Sequence, residues 1–249
     1  MLVVINEDYE EMSREGARRV ASLVRKKPDC VLGFATGSTP LGMYKELIGM
    51  HREEGLDFSK VVTFNLDEYV GLPPSHDQSY HYFMWENLFK HINVDARHVH
   101  IPMGMAEDID GICQWYEEKI DECGGIDLQI LGIGANGHIA FNEPGSSLGS
   151  RTRIKTLSEK TVADNARFFE NKDDVPRYAL TMGVGTIMEA RSLLLLANGS
   201  AKADAIVATV EGPIRAKFPA TIVQLHQYAT VLIDKEAAAK LEGSYAGFE

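Results

Sequence analysis

Apolar residues fall into short continuous runs, separated by longer stretches in which they recur every three or four positions. The runs Leu2–Ile5, Cys30–Ala35, Val61–Leu66, Leu128–Ile133, Ser192–Ala197 and Ala229–Ile233 read as strands buried on both faces. After the first run, Glu7, Asp8, Glu10 and Glu11 stand where acids suit the first turn of a helix, and Val20, Ala21 and Val24 supply its apolar face. The stretches Leu41–Met50, Met84–His91 and Gly111–Glu122 carry the same helical period. Buried-type strands alternating with helices predict one α/β domain, with a parallel sheet covered on both sides. Two polar stretches, Leu72–Tyr80 and Leu157–Arg177, read as long loops or loosely held helices. No repeat or break in composition marks a domain boundary.

Composition narrows the function. With 249 residues, 45% hydrophobic and 24% charged, the chain is long enough to bury a full core and is neither fibrous nor low in complexity. A net charge of −11 speaks against holding nucleic acid over a broad surface. It leaves room for one small anion where cations and backbone N–H groups converge. Three cysteines, with no CxxC, fit a reducing compartment. The start MLVVINEDYEEMS carries acids where a signal peptide carries positive charge. No apolar stretch approaches the roughly 20 residues of a spanning helix. The expected setting is cytoplasmic, without a membrane or nucleic-acid partner.

In parallel sheets, ligands sit beyond the carboxyl ends of the strands. After Cys30–Ala35 comes Thr36-Gly-Ser-Thr-Pro-Leu-Gly42, with Pro40 near the start of a helix. Free N–H groups and the hydroxyls of Thr36, Ser38 and Thr39 suit a phosphate or carboxylate, or else simple capping of the helix. After Val61–Leu66 come Asp67, Glu68 and Tyr69. A strand-end carboxylate there is either a base with a raised pKa or another cap. After Leu128–Ile133 the chain reads Gly132-Ile-Gly-Ala-Asn-Gly-His-Ile-Ala-Phe-Asn-Glu-Pro-Gly145. This spells GxGxxG, but no helix follows before Pro144, and no strand-end acid stands about 20 residues on, so a dinucleotide site is rejected. The glycine turn instead presents Asn136, His138 and Glu143, a proton-transfer group with partners able to fix its tautomer. Cations gather beyond strand ends at Arg151, Arg153, Lys155, Arg167 and Lys202. The pairs His76/His81 and His98/His100 lack further ligands at a zinc spacing, so no metal is expected.

The segments TGSTPLGMYKEL, VVTFNLDEYVGL, LGIGANGHIAFNEPGSSLGSRTRIKT and YALTMGVGTIMEA resemble the glucosamine-6-phosphate deaminase family, in order and over nearly the whole chain. The resemblance implies a Rossmann-like three-layer α/β sandwich with a mainly parallel central sheet. One domain is expected over 1–249, and Leu157–Arg177, with few apolar anchors, is expected to be a mobile lid. It implies no cofactor, and conversion of glucosamine 6-phosphate and water to fructose 6-phosphate and ammonium in amino-sugar catabolism. His138 would open the sugar ring, oriented by Asn136 and Glu143, and Asp67 would move the proton from C2 to C1. Thr36, Ser38, Thr39, Arg167 and Lys202 would hold the phosphate. The family motif often has Asp where this chain has Asn136. A 6-phosphogluconolactonase would share the fold and the His turn but needs no C2 base, and a non-catalytic sugar-phosphate sensor would be expected to lack Asp67 or His138. Larger family members are hexamers activated by an N-acetylated sugar phosphate, through residues resembling Ser146, Arg153, Lys155 and Thr156 plus a longer C-terminal tail. The short tail leads to an expectation of hyperbolic kinetics in a monomer or small homo-oligomer.

Overall fold

Each apolar run of the sequence is a strand: β1 (Leu2–Asn6), β2 (Val31–Phe34), β3 (Val62–Asn65), β6 (Leu128–Leu131), β9 (Leu193–Ala197) and β10 (Ala229–Asp234). The computed structural model describes residues 1–157, 162–163, 169, 171 and 175–247. Every residue of β2, β6 and β9 is buried. Because successive side chains point to opposite faces, the sheet must be covered on both sides, which makes a three-layer α/β sandwich.

Two short edge strands join these six, β5 (Val99–His100) and β11 (Ala246–Gly247). The eight run parallel in the order β11-β1-β10-β9-β6-β2-β3-β5. From β2 the chain moves outward through β3 to β5, then crosses to the other side of β2 to place β6. The order therefore reverses between β2 and β6. A crevice opens at such a switch point, because the loops leaving the two strands diverge.

The helices are α1 (Tyr9–Lys26), α2 (Leu41–Glu54), α3 (Tyr80–Asn87), α4 (Ile109–Glu122), α5 (Val184–Met188), α6 (Ala203–Val210) and α7 (Lys235–Ala238) among the described residues. Asp8 caps α1 by accepting from Glu11 N at 2.8 Å, while Glu11 Oε2 accepts from Glu7 N at 2.6 Å. The helix expected over Met84–His91 begins earlier, at Tyr80, because Ser79 Oγ accepts from Tyr82 N at 3.0 Å. It ends at Asn87 and gives way to a 3₁₀ turn at Phe89–His91.

A second sheet was not foreseen. After β3 the chain leaves the large sheet at Leu66 and continues as β4 (Asp67–Tyr69), which pairs antiparallel with β8 (Tyr178–Thr181); β8 in turn pairs with β7 (Arg153–Thr156). Asp67 thus opens a strand of the small sheet, opposite Thr181, rather than ending a strand of the large one.

Candidate active site

Above the β2–β6 crevice lies a cavity of about 590 Å³. Thr36, Ser38, Thr39, Asp67, His138 and Lys202 all line it, although they follow four different strands. Asn136 and Glu143 stand behind His138. Arg167 and most of the 157–177 segment lie outside the described residues.

The turn after β2 does not cap α2 with its side chains. Pro40 precedes the helix, and no side chain of the turn itself accepts from its first amides. Instead Thr39 Oγ1 donates to Asn198 Oδ1 at 2.9 Å, which ties this turn to the loop after β9. Tyr9 Oη accepts from Gly42 N at 2.7 Å and donates to Ser38 O at 3.1 Å, fixing the turn from below. The capping alternative is thereby set aside. Lys202 sits on the loop after β9, half-buried, and burial pulls its ammonium below the usual lysine range. A desolvated cation beside a hydroxyl-rich helix start is an arrangement that an anion stabilises.

Asp67 is 6% exposed. Burial, reinforced by the neighbouring Glu68 charge, pushes its carboxyl up to about 8, while the Phe141 amide pulls the other way. That is the range in which a carboxylate can both take and return a proton near neutral pH. An aromatic wall surrounds it that the sequence reading missed. Tyr69 and Tyr80 lie 4.9 Å apart, Tyr69 and Phe141 5.6 Å, and Tyr69 and Phe169 6.4 Å, centroid to centroid. Tyr80 Oη donates to Tyr69 Oη at 3.4 Å and shares a hydrogen bond with Thr36. The dense aromatic run after Ser79 was the available signal, hidden because it lies in a helix whose start was misplaced.

The glycine turn holds His138 by backbone bonds. Gly134 N donates to His138 O and Gly137 N to Gly134 O, both at 2.9 Å, and Ala220 N donates to Gly137 O at 2.9 Å. Gly137 has φ +81°, and a Cβ at Gly134 would stand 2.1 Å from the His138 ring, so both positions require glycine. Ala140, at φ +50°, is the one non-glycine residue with positive φ among the described residues, and it lines the cavity.

His138, Asn136 and Glu143 form a relay. Asn136 Oδ1 lies 2.6 Å from His138 Nδ1, and Asn136 Nδ2 donates to Glu143 Oε2 at 3.0 Å. Since the amide nitrogen is committed to the carboxylate, its oxygen must accept, which puts the proton on Nδ1 and the ring's lone pair on Nε2. Glu143 Oε2 is 4.0 Å from Nδ1, close enough to stabilise an imidazolium. The amide thus orients the ring while the charge comes from Glu143. Among the described residues no cluster of three or more His, Cys, Asp or Glu could hold a metal ion.

Residues 7–232 match the family described as glucosamine-6-phosphate isomerases/6-phosphogluconolactonase. The chain is 56% identical over 239 residues to the glucosamine-6-phosphate deaminase of Thermoanaerobacter sp. (strain X514), covering 96% of this chain and 94% of the relative. It is also 56% identical over 241 residues to that of Halothermothrix orenii, covering 97% and 100%. A solved monomeric glucosamine-6-phosphate deaminase superposes with a TM-score of 0.93 at 47% identity, covering 96% of this chain and 99% of that one. The chain belongs to the glucosamine-6-phosphate isomerase/6-phosphogluconolactonase family.

Proposed function

We propose that this protein is a glucosamine-6-phosphate deaminase, converting glucosamine 6-phosphate and water to fructose 6-phosphate and ammonium. The phosphate rests on Thr36–Thr39 and against Lys202. His138 Nε2 takes the proton of the C1 hydroxyl and passes it to the ring oxygen as the C1–O5 bond breaks, leaving the open-chain aldehyde. The Asp67 carboxylate then removes the C2 proton, giving a 2-amino enol, and returns a proton to C1. The resulting C2 iminium takes up water and releases ammonium, leaving the ketose. General base groups placed this way contribute roughly 10²–10⁴-fold each.

Asp67 carries the choice of this reaction over lactone hydrolysis. Hydrolysing a lactone needs an activated water and no base beside C2. A buried carboxyl held near pH 8 and facing the same cavity as a tautomer-fixed histidine is what an aldose–ketose proton transfer needs. The test is ammonium release from glucosamine 6-phosphate beside hydrolysis of 6-phosphogluconolactone on one preparation. Ammonium release alone supports the proposal, and lactone hydrolysis alone removes it.

The protein works in the cytoplasm as a monomer or small oligomer. In support, residues 242–247 fold back onto their own chain: Glu242 N, Gly243 N and Tyr245 Oη all donate to Glu211 Oε1, and Ala246–Gly247 pair with Val4–Ile5. No helix among the described residues is long and apolar enough to cross a membrane.

A further inference from the structure

Glu68 sits beside the proposed base yet on the opposite face of β4, since neighbouring strand residues alternate. It is 3% exposed, and no cation among the described residues is shown to act on it. Its partners are backbone amides: Oε1 accepts from Tyr69 N at 2.8 Å and Tyr80 N at 2.9 Å, and Oε2 accepts from His81 N at 2.8 Å. Two of the three belong to the first turn of α3, whose remaining early amide goes to Ser79 Oγ. A buried carboxylate from another element therefore completes the N-terminus of α3, where a negative charge is favoured. The same turn carries Ser79 and Tyr80 on the cavity wall.

The geometry points to Glu68 as a positioning residue for Asp67: it ties the α3 wall of the cavity to the strand that carries the base, and it places a second carboxyl behind that base. The inference rests on the reading of Asp67 as the C2 base. Among the described residues, the groups shown to interact with Asp67 are Glu68 from its own strand, Tyr80 from α3, Tyr116 from α4 and the Phe141 amide, and Tyr69, His138 and Lys202 line the same cavity. Thr181 opposite it on β8 is neutral. Glu68 is thus the one carboxylate among the groups shown to act on Asp67, and it keeps the neighbouring carboxyl basic. Burial pushes Glu68 itself up, and its three amide donors pull it back toward the charged form.

The test compares Glu68→Gln, Glu68→Asp and Asp67→Asn by the pH profile of kcat/KM for glucosamine 6-phosphate. Glu68→Gln removes the charge, so the acid limb moves to lower pH by roughly one pH unit, and KM rises because one α3 amide loses its acceptor. Glu68→Asp keeps the charge but falls a methylene short of α3; its acid limb stays at the wild-type pH while KM rises by roughly five-fold. A residue that only stabilised the fold would not move the limb in one variant and spare it in the other. An unmoved limb in a folded Glu68→Gln protein overturns the inference. If that variant does not fold, a wild-type KM in Glu68→Asp overturns it instead. Full turnover in Asp67→Asn is a distinct failure, of the base assignment itself.

Discussion

At the scale of the residue, the proposed chemistry turns on one buried carboxyl, that of Asp67. Asp67→Asn keeps the acceptor for the Phe141 amide and loses the base, so ammonium release should fall by about 10²–10⁴-fold while the protein stays folded. Because the acid must be ionised to act, wild-type kcat/KM should rise as pH climbs through about 8. The same carboxyl bears on stability with a defined sign. Its folded-state pKa lies above the ordinary aspartate value near 3.9, so the native state binds more protons than the unfolded one between pH 4 and 8, and stability falls as pH rises across that window. Asp67→Asn should remove that slope and raise Tm by roughly 2–4 °C at pH 8, as read by a thermal melt at pH 5 and pH 8; a lower Tm at both would contradict the burial argument. For His138, replacement by Gln should impair the cyclic amino sugar yet spare C2 proton exchange on a substrate that cannot close its ring. Equal loss of exchange on such a substrate would reassign the histidine. That Asp67 and His138 stand at one cavity was legible in the sequence because each follows a recognisable strand, whereas the role proposed for each came from the family resemblance. Tyr69 and Tyr80 were not, since an aromatic residue on a strand or a helix reads the same whether it lines a core or a cavity.

At the scale of the element, glycine makes the histidine loop. Gly134→Ala would drive a methyl into the imidazole, which cannot retreat without breaking the bond from Nδ1 to Asn136. Turnover should fall at least 10²-fold with little change in Tm, a combination that circular dichroism and an ammonium assay would reveal; wild-type activity would mean the ring sits elsewhere during catalysis. The large sheet was readable because its strands are continuous apolar runs. The small one was not. β4 carries two adjacent acids and β7 alternates cations with Ile154 and Thr156, so neither shows an apolar run. Their pairing through β8 joins segments more than 80 residues apart, and no local pattern encodes it. The turn after β2 was ambiguous for a related reason: Ser38 and Thr39 have the composition of caps, and only the link from Thr39 to Asn198 shows that tertiary structure has claimed the hydroxyl.

At the scale of the whole molecule, strand order does the assembly. The reversal between β2 and β6 gathers residues from 36 to 202 into one cavity, which is why four separate strand ends meet there. The tail that folds onto Glu211 and β1 makes its contacts within one chain. Substrate titrations should accordingly be hyperbolic with and without N-acetylglucosamine 6-phosphate, in a particle whose solution mass is that of a monomer or small oligomer. Sigmoidal curves relieved by the acetylated sugar, in a hexamer, would contradict that expectation. The most direct measurement of the central claim uses glucosamine 6-phosphate deuterated at C2, followed for ammonium release and for the fate of the label in wild type and Asp67→Asn. The predicted result is stoichiometric ammonium and fructose 6-phosphate from the wild type, with the deuterium found at C1 or in the solvent, and a label that stays at C2 of unreacted substrate in the variant. Ammonium release by Asp67→Asn at the wild-type rate, or no release by the wild type, would contradict it.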